Sequence, residues 1–350
     1  MKFETEEQLQ LSRKPENRPE ENIQRTDATK KPITCHVRPS AINGVTVKSE
    51  GTTLFFVNSS AIHDSCNKPG NPGALICACL VCVGISRTRE DDLGSALKRM
   101  FTTSGLEIEC QSCLPHGSGL GTSSILAAAI IKALWSSSSI PHTEKNICHA
   151  VLMVEQLLTT GGGWQDQVGC LYPGVKKGFV SEDDMSVDAE AISISKEFEM
   201  EINKRMVLIY TGKTRLAKNL LQEVIRGWYS GGPIREVIKT LEDNIDQFVA
   251  ALTEGRMPHD LIEVYYNAKK TLATGCEPDI VSSLISSLKS NNLVETAWLA
   301  GAGGGGFLYV WMKPNISSDK IRSHVAKYGT AEVTVHTITI DNSPIKCYSR

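Results

Sequence analysis

Apolar and polar positions along the chain follow two rhythms, and the rhythms mark out the elements. Over 32–57, the runs ITCHV, VTVKS and TLFFV are short and rich in β-branched and aromatic residues, which predicts strands. A nearly unbroken apolar stretch over 73–85 predicts a buried helix, and 91–101 a second one. LEIECQSC (106–113) alternates like a strand, and the Ile/Leu/Ala run over 122–135 reads as a core helix ending at the SSSS linker, 136–139. Thr143 is placed to cap a helix running to about Leu158, with Ile147, Val151, Val154 and Leu158 at helical spacing. The segment 181–200 is acidic and weakly patterned, which reads as a domain boundary. Beyond it come a strand (205–212), three or four helices over 215–290, a strand (294–300), a glycine loop (301–306), a strand (307–313), a helix (317–327) and a strand (331–340). Helices and strands mix without regular βα alternation, so the fold class is α+β. Residues 1–32 are polar, Glu-rich and poor in aromatics, which predicts a disordered segment. The expected domains are 33–190, short at its start, and 191–350.

Composition narrows the partners. The chain has 350 residues, enough for two domains, with 41% hydrophobic and 22% charged residues as in soluble globular proteins. A net charge of -2 without a long basic run excludes nucleic acid and anionic membrane surfaces as expected partners. The longest apolar block, ALICACLVCVGI (74–85), is too short to span a bilayer, and the charged N-terminus has no signal-peptide core. The 11 cysteines are odd in number, and Cys77, Cys79, Cys82 and Cys148 sit inside apolar runs. That usage suits reduced thiols packed as small hydrophobes in the cytoplasm. Cys110 and Cys113 form a single CxxC without a second pair at zinc-ligand spacing. Nothing in the pattern fixes an oligomeric state.

The sequence LPHGSGLGTSS (114–124) carries the clearest chemistry. It places Gly117, Gly119 and Gly121 and then three hydroxyls at the mouth of the 122–135 helix. The first amides of a helix lack internal partners and sit at the positive end of its dipole, which suits phosphate. Glycines let the backbone curl round the oxygens, and hydroxyls add donors or a Mg²⁺ ligand. A plain strand-to-helix turn with a serine cap would need fewer of both. A Walker loop is excluded: Thr122 follows Gly121 where lysine is required, and Gly212-Lys213-Thr214 has Val207 at the first glycine position. G-x-G-x-x-G occurs at 301–306, but the strand-like FLYVWM follows it, so the dinucleotide-binding context is missing.

Pro115, Gly117, Ser118, Gly119, Leu120, Gly121, Thr122, Ser123 and Ser124 resemble the second motif of the GHMP small-molecule kinases, and LAGAGGGGFL (299–308) resembles their third. TTGGGWQDQVG (159–169), YTGKTRLAKNLL (210–221) and LAGAGGGGFLYV (299–310) narrow the likeness to the C-terminal kinase region of the L-fucose kinases, over residues from about 73 to 340. Bacterial heptose-phosphate kinases share a similar loop. The resemblance implies a two-domain GHMP fold, with an N-terminal domain like ribosomal protein S5 domain 2 and a ferredoxin-like C-terminal domain. It implies ATP and Mg²⁺ as cofactors, a small sugar as substrate, and L-fucose 1-phosphate as product on the way to a nucleotide sugar.

The same resemblance assigns roles. Asp166, on a glycine-flanked loop, is the implied general base. Ser123, with Thr122 or Ser124 as alternatives, and Glu155 are the implied Mg²⁺ ligands; a solvated helix residue is the lesser alternative for Glu155. Gly303 and Gly304 belong to the loop expected to close over the nucleotide. Gly162, Gly163 and Trp164 border the expected sugar pocket, where Trp164 either stacks on the ring or packs against protein. Lys213 and Arg215 either neutralise phosphate or lie solvated. The family's first motif, similar to S-G-G-W-[ST]-D-T-P-P, does not occur in residues 1–72, nor does an upstream pyrophosphorylase-like region. The chain therefore resembles a shortened form or fragment, and a catalytically impaired nucleotide- or sugar-binding protein is the alternative expectation.

Overall fold

The computed structural model describes residues 2–5, 9–10, 33–49, 51–112, 120–158, 162–181, 185–213, 217–327, 333–343 and 345–348. The first half runs β1 (Lys2–Thr5), β2 (Leu9–Gln10), β3 (Ile33–Pro39), β4 (Gly44–Ser49), β5 (Thr52–Phe56), α1 (Ser59–Cys66), α2 (Ala74–Cys82), α3 (Leu93–Phe101), β6 (Gly105–Ser112), α4 (Thr122–Ser137), α5 (Glu144–Leu157), α6 (Gln165–Leu171), β7 (Lys176–Val180) and β8 (Val187–Ala191). The second runs α7 (Lys196–Arg205), β9 (Met206–Tyr210), α8 (Ala217–Tyr229), α9 (Ile234–Asp243), α10 (Ile245–Thr253), α11 (His259–Lys270), α12 (Asp279–Ser290), β10 (Val294–Leu299), β11 (Phe307–Met312), α13 (Ser318–Val325), β12 (Thr334–Thr337), β13 (Thr339–Ile340) and β14 (Lys346–Tyr348).

The first sheet has the order β14-β1-β3-β6-β4-β5 and is antiparallel except where β4 meets β6. Alternate residues of its strands, among them Ile33, Cys35, Val37, Val45, Val47 and Ile108, form one core with α2, α4 and α5. That location explains the unbroken apolar runs at 74–82 and 125–131: both helices are covered on nearly all sides. Thr143 caps α5 in a reciprocal capping box with Asn146.

The second sheet, β10-β11-β9-β12, is antiparallel throughout. Its strands show the period of two: Val207 and Ile209 pack with α12 and α13, while Leu208 and Phe307 sit in a separate cluster. Leu120, from the mouth of α4, is buried in that second cluster with Leu208, Ala300, Phe307 and Ile338. One leucine of the glycine-rich segment thus fastens the two halves together.

Several expectations are corrected. The segment before residue 33 contains β1, which is supported by pairing with β3 and β14 rather than by a core of its own. The weakly patterned 181–200 segment holds β8 and the first half of α7; Ser195 caps α7, whose buried residues Phe198 and Ile202 lie one turn apart. Five helices, not three or four, occupy 217–290. The single strand expected at 331–340 is two, β12 and β13, on either side of the buried Ile338. Among the described residues no helix is long and apolar enough to cross a membrane.

Candidate active site

Helix α4 opens without a side-chain cap. Its N-cap residue, Gly121, has φ +68°, in the left-handed region that glycine adopts at little cost, and no acidic residue occupies the first turn. Gly121 also has a packing reason to be glycine. A Cβ there would lie 2.8 Å from Asp166 Cβ and 2.9 Å from its Cγ, so the mouth of α4 and the Asp166 side chain are in direct contact. Gly121→Ala is therefore expected to destabilise the protein by about 1–3 kcal/mol, from left-handed strain plus the clash. Urea denaturation of the variant checks this, and a change within experimental error would mean that the contact gives way freely.

Asp166 lies in the first turn of α6, not on the glycine-flanked loop that the sequence suggested. Gly161–Gly163 and the short length of α6 hid a helix of seven residues. Asp166 is exposed to solvent, and the protein packed beside its carboxyl raises its pKa above the ordinary value by desolvation. Lys176 holds the other end of α6, donating from Nζ to the carbonyls of Gly169 (2.9 Å) and Tyr172.

Glu155 is buried on α5 behind these residues. Its Oε1 accepts a hydrogen bond from Ser124 Oγ, and its Oε2 accepts one from Gln167 Nε2 at 2.9 Å. Burial raises its pKa; the Ser124 bond opposes the rise, the Asp166 charge adds to it, and the Gln167 bond opposes it. Three elements, α4, α5 and α6, thus converge on one carboxylate. Ser123, the first choice in sequence, is exposed; the alternative, Ser124, is the hydroxyl that meets Glu155. Gln167 and Lys176 were missed. The sequence signal for Gln167 was its place in the WQDQ run; Lys176 had none. Ser124 Oγ and the Glu155 carboxylate are hard oxygen donors, the type Mg²⁺ binds, so this pair fits a Mg²⁺ that takes its remaining ligands from water and phosphate.

The 301–306 loop is held by backbone contacts. Gly304 N donates to Cys276 O at 2.8 Å, Gly306 N to Lys213 O at 2.7 Å, and Thr211 N to Gly306 O at 2.9 Å. A Cβ on Gly303 would lie 2.4 Å from Cys276 O, and one on Gly305 would lie 2.6 Å from Lys213 O. Close chain approach therefore accounts for these two glycines, and the loop's ends at Ala300 and Phe307 meet Leu120.

The remaining sequence candidates divide. Thr122 is buried at the start of α4. Gly162 lies against Glu155, its ideal Cβ 3.4 Å from Oε2, whereas Gly163 faces open space. Trp164 packs over Gly178 of β7, where a Cβ would lie 2.6 Å from its ring, so packing accounts for it. Lys213 is exposed and serves through its carbonyl. Pro115, Gly117, Ser118, Gly119 and Arg215 lie outside the described residues.

Comparison with known proteins follows this geometry. Residues 90–174 match the model of the GHMP kinases N terminal domain, a span that covers α4, Glu155 and Asp166. The chain is 31% identical over 253 residues to the bifunctional fucokinase/GDP-fucose pyrophosphorylase of Arabidopsis thaliana, covering 71% of this chain and 24% of that protein. It is 31% identical over 248 residues to the L-fucokinase/L-fucose-1-P guanylyltransferase of Bacteroides fragilis, covering 69% and 24%. The chain thus spans about a quarter of the length of these two relatives. The crystal structure of a D-glycero-D-manno-heptose 1-phosphate kinase from Bacteroides thetaiotaomicron superimposes with a TM-score of 0.58 at 16% identity, over 91% of this chain and 88% of that one. Residues 90–174, the span around the site, thus match the GHMP kinase N-terminal domain, and the chain shares its fold with a solved sugar-phosphate kinase over most of its length.

Proposed function

We propose that this chain is an ATP-dependent sugar kinase that transfers the γ-phosphoryl group of ATP to the anomeric hydroxyl of L-fucose, giving L-fucose 1-phosphate and ADP. The observation that supports it most is the direct contact between Gly121 and Asp166, which puts a carboxylate of raised pKa at the mouth of an uncapped helix. In this reading the amides of the 115–124 segment hold the triphosphate. Residues 33–190 form the ATP-binding domain and 191–350 the domain that closes the cleft, with Gly303 and Gly304 on the nucleotide side. Asp166 accepts the proton of the attacking hydroxyl as its oxygen bonds to the γ-phosphorus and the bond to ADP breaks. A raised carboxyl pKa suits this role, because a base works best with a pKa near the working pH. Ser124 and Glu155 hold Mg²⁺; the ion, when bound, neutralises charge on the phosphates.

The test is ADP release by the purified protein with L-fucose, compared with D-galactose, mevalonate and a heptose phosphate. Turnover that depends on L-fucose is expected. Turnover with heptose phosphate alone would move the acceptor assignment. ATP binding without turnover on any acceptor would make the chain a nucleotide-binding protein on a kinase fold.

A further inference from the structure

Gln167 is fully buried on α6, one residue after Asp166. Its amide nitrogen donates to Glu155 Oε2 at 2.9 Å, while Glu155 Oε1 is taken by Ser124. Side chains of two helices, α4 and α6, therefore grip the two oxygens of one carboxylate on a third. A carboxylate only accepts hydrogen bonds when ionised, so it selects the donor end of the Gln167 amide and leaves the carbonyl end for another partner. Gln167 Oε1 is shut off from solvent and accepts no hydrogen bond among the described residues. Buried acceptors without partners are costly and uncommon, and each one needs an explanation such as an ordered water or an ion. Gly162 borders the carboxylate, since a Cβ there would lie 3.4 Å from Oε2.

We propose that Gln167 is a positioning residue for the divalent cation: its amide fixes the Glu155 carboxylate, and its carbonyl oxygen accepts a hydrogen bond from a water bound to that cation. This rests on the kinase reading of the same site. Mg²⁺ dehydrates reluctantly and keeps several waters, so its hydration shell offers donors to a nearby acceptor. Outer-shell partners of this kind change metal affinity even though they never touch the metal.

The experiment measures Mn²⁺ binding by the electron paramagnetic resonance of free Mn²⁺, with the full chain and the non-hydrolysable ATP analogue AMPPNP. Gln167→Met keeps the length of the side chain and removes both amide functions. It is expected to weaken Mn²⁺ binding by about 10–100-fold, with AMPPNP affinity in the absence of metal unchanged. Gln167→Asn keeps the chemistry on a shorter arm and should give a smaller loss; it carries the test if Gln167→Met does not fold by circular dichroism. Wild-type Mn²⁺ affinity in either folded variant overturns the proposal, because a purely structural water on Oε1 would leave metal binding untouched. Glu155→Gln is measured beside them. If it weakens Mn²⁺ binding and the Gln167 variants do not, only the role of Gln167 fails; if it too has no effect, the metal reading of the whole site fails with it.

Discussion

Asp166→Asn is expected to lower kcat with L-fucose by about 10²–10⁴-fold, the range for removing a positioned general base. Asparagine matches aspartate in shape, so the contact with Gly121 survives and ATP affinity should stay near the wild-type value. Stability should move the other way. Desolvation raises the Asp166 pKa in the folded protein, so the folded state holds the proton in the pH window above the unfolded pKa, where the unfolded chain has released it. In that window stability falls as pH rises, and the ionised carboxylate is a burden at neutral pH. The neutral amide removes that burden, which solvent at the exposed Asp166 keeps small, so Asp166→Asn should melt slightly higher than wild type at pH 7 and at a similar temperature at pH 3. Loss of activity together with a gain in stability marks a group held for chemistry rather than for the fold. A variant that keeps full activity would remove the base assignment, and one that loses activity while melting lower would point to a structural role instead.

What the sequence could show depended on how far each signal reached along the chain. Helix α4 was legible because its apolar run is continuous, yet that same continuity hid which hydroxyl faces Glu155. With Ile125–Ile131 buried throughout, there was no polar position beside the mouth to set the phase, and only the structure separates the exposed Ser123 from the buried Ser124. Helix α6 has seven residues, two turns, which is too short for a 3.6 period to emerge from GGGWQDQVG; Asp166 could be named as a residue but not placed. β1 pairs with β14 across more than 300 residues of sequence, and no local pattern predicts such a partner. Helix α7 was legible in principle. Ser195 is a good cap, and Phe198 and Ile202 have the right spacing, but the acidic composition around them outweighed both. The glycines at 301–306 were recognised as a motif, while the carbonyls of Cys276 and Lys213 that make Gly303 and Gly305 obligatory became visible only in three dimensions.

The cysteines, read in sequence as packed thiols, lead to the steepest expected response of the molecule: under reducing conditions it should unfold over a narrow alkaline range. Cys35, Cys77, Cys79 and Cys148 are fully buried. The contact with Cys110 Sγ at 3.8 Å, with burial behind it, holds the Cys35 thiol well above the ordinary 9.0. Burial does the same for Cys79, and it pushes Cys77 and Cys148 up to about 12. Above pH 9 the unfolded chain releases these four protons while the folded chain keeps them, so each thiol subtracts about 1.4 kcal/mol of stability per pH unit, and the four together about 5. Two lysines act in the opposite sense. Burial lowers Lys176 and Lys269 from 10.5 to about 8, so between about pH 8 and 10.5 the unfolded chain binds two protons that the folded chain has lost. They add about 3 kcal/mol per pH unit in that window. The lysines therefore dominate between 8 and 9, the thiols win by roughly 3 kcal/mol per unit above 9, and the full thiol slope appears once the lysine window closes. Urea denaturation at pH 7.5, 8.5, 9.5 and 10.5 with reductant should trace a dome with its maximum between 8 and 9. Lys269→Met should flatten the rising limb by about half, because it removes one of the two opposing protons. A stability that climbs steadily through pH 10.5 would mean that the buried thiols ionise as readily folded as unfolded, and would overturn this reading of the four side chains at zero exposure.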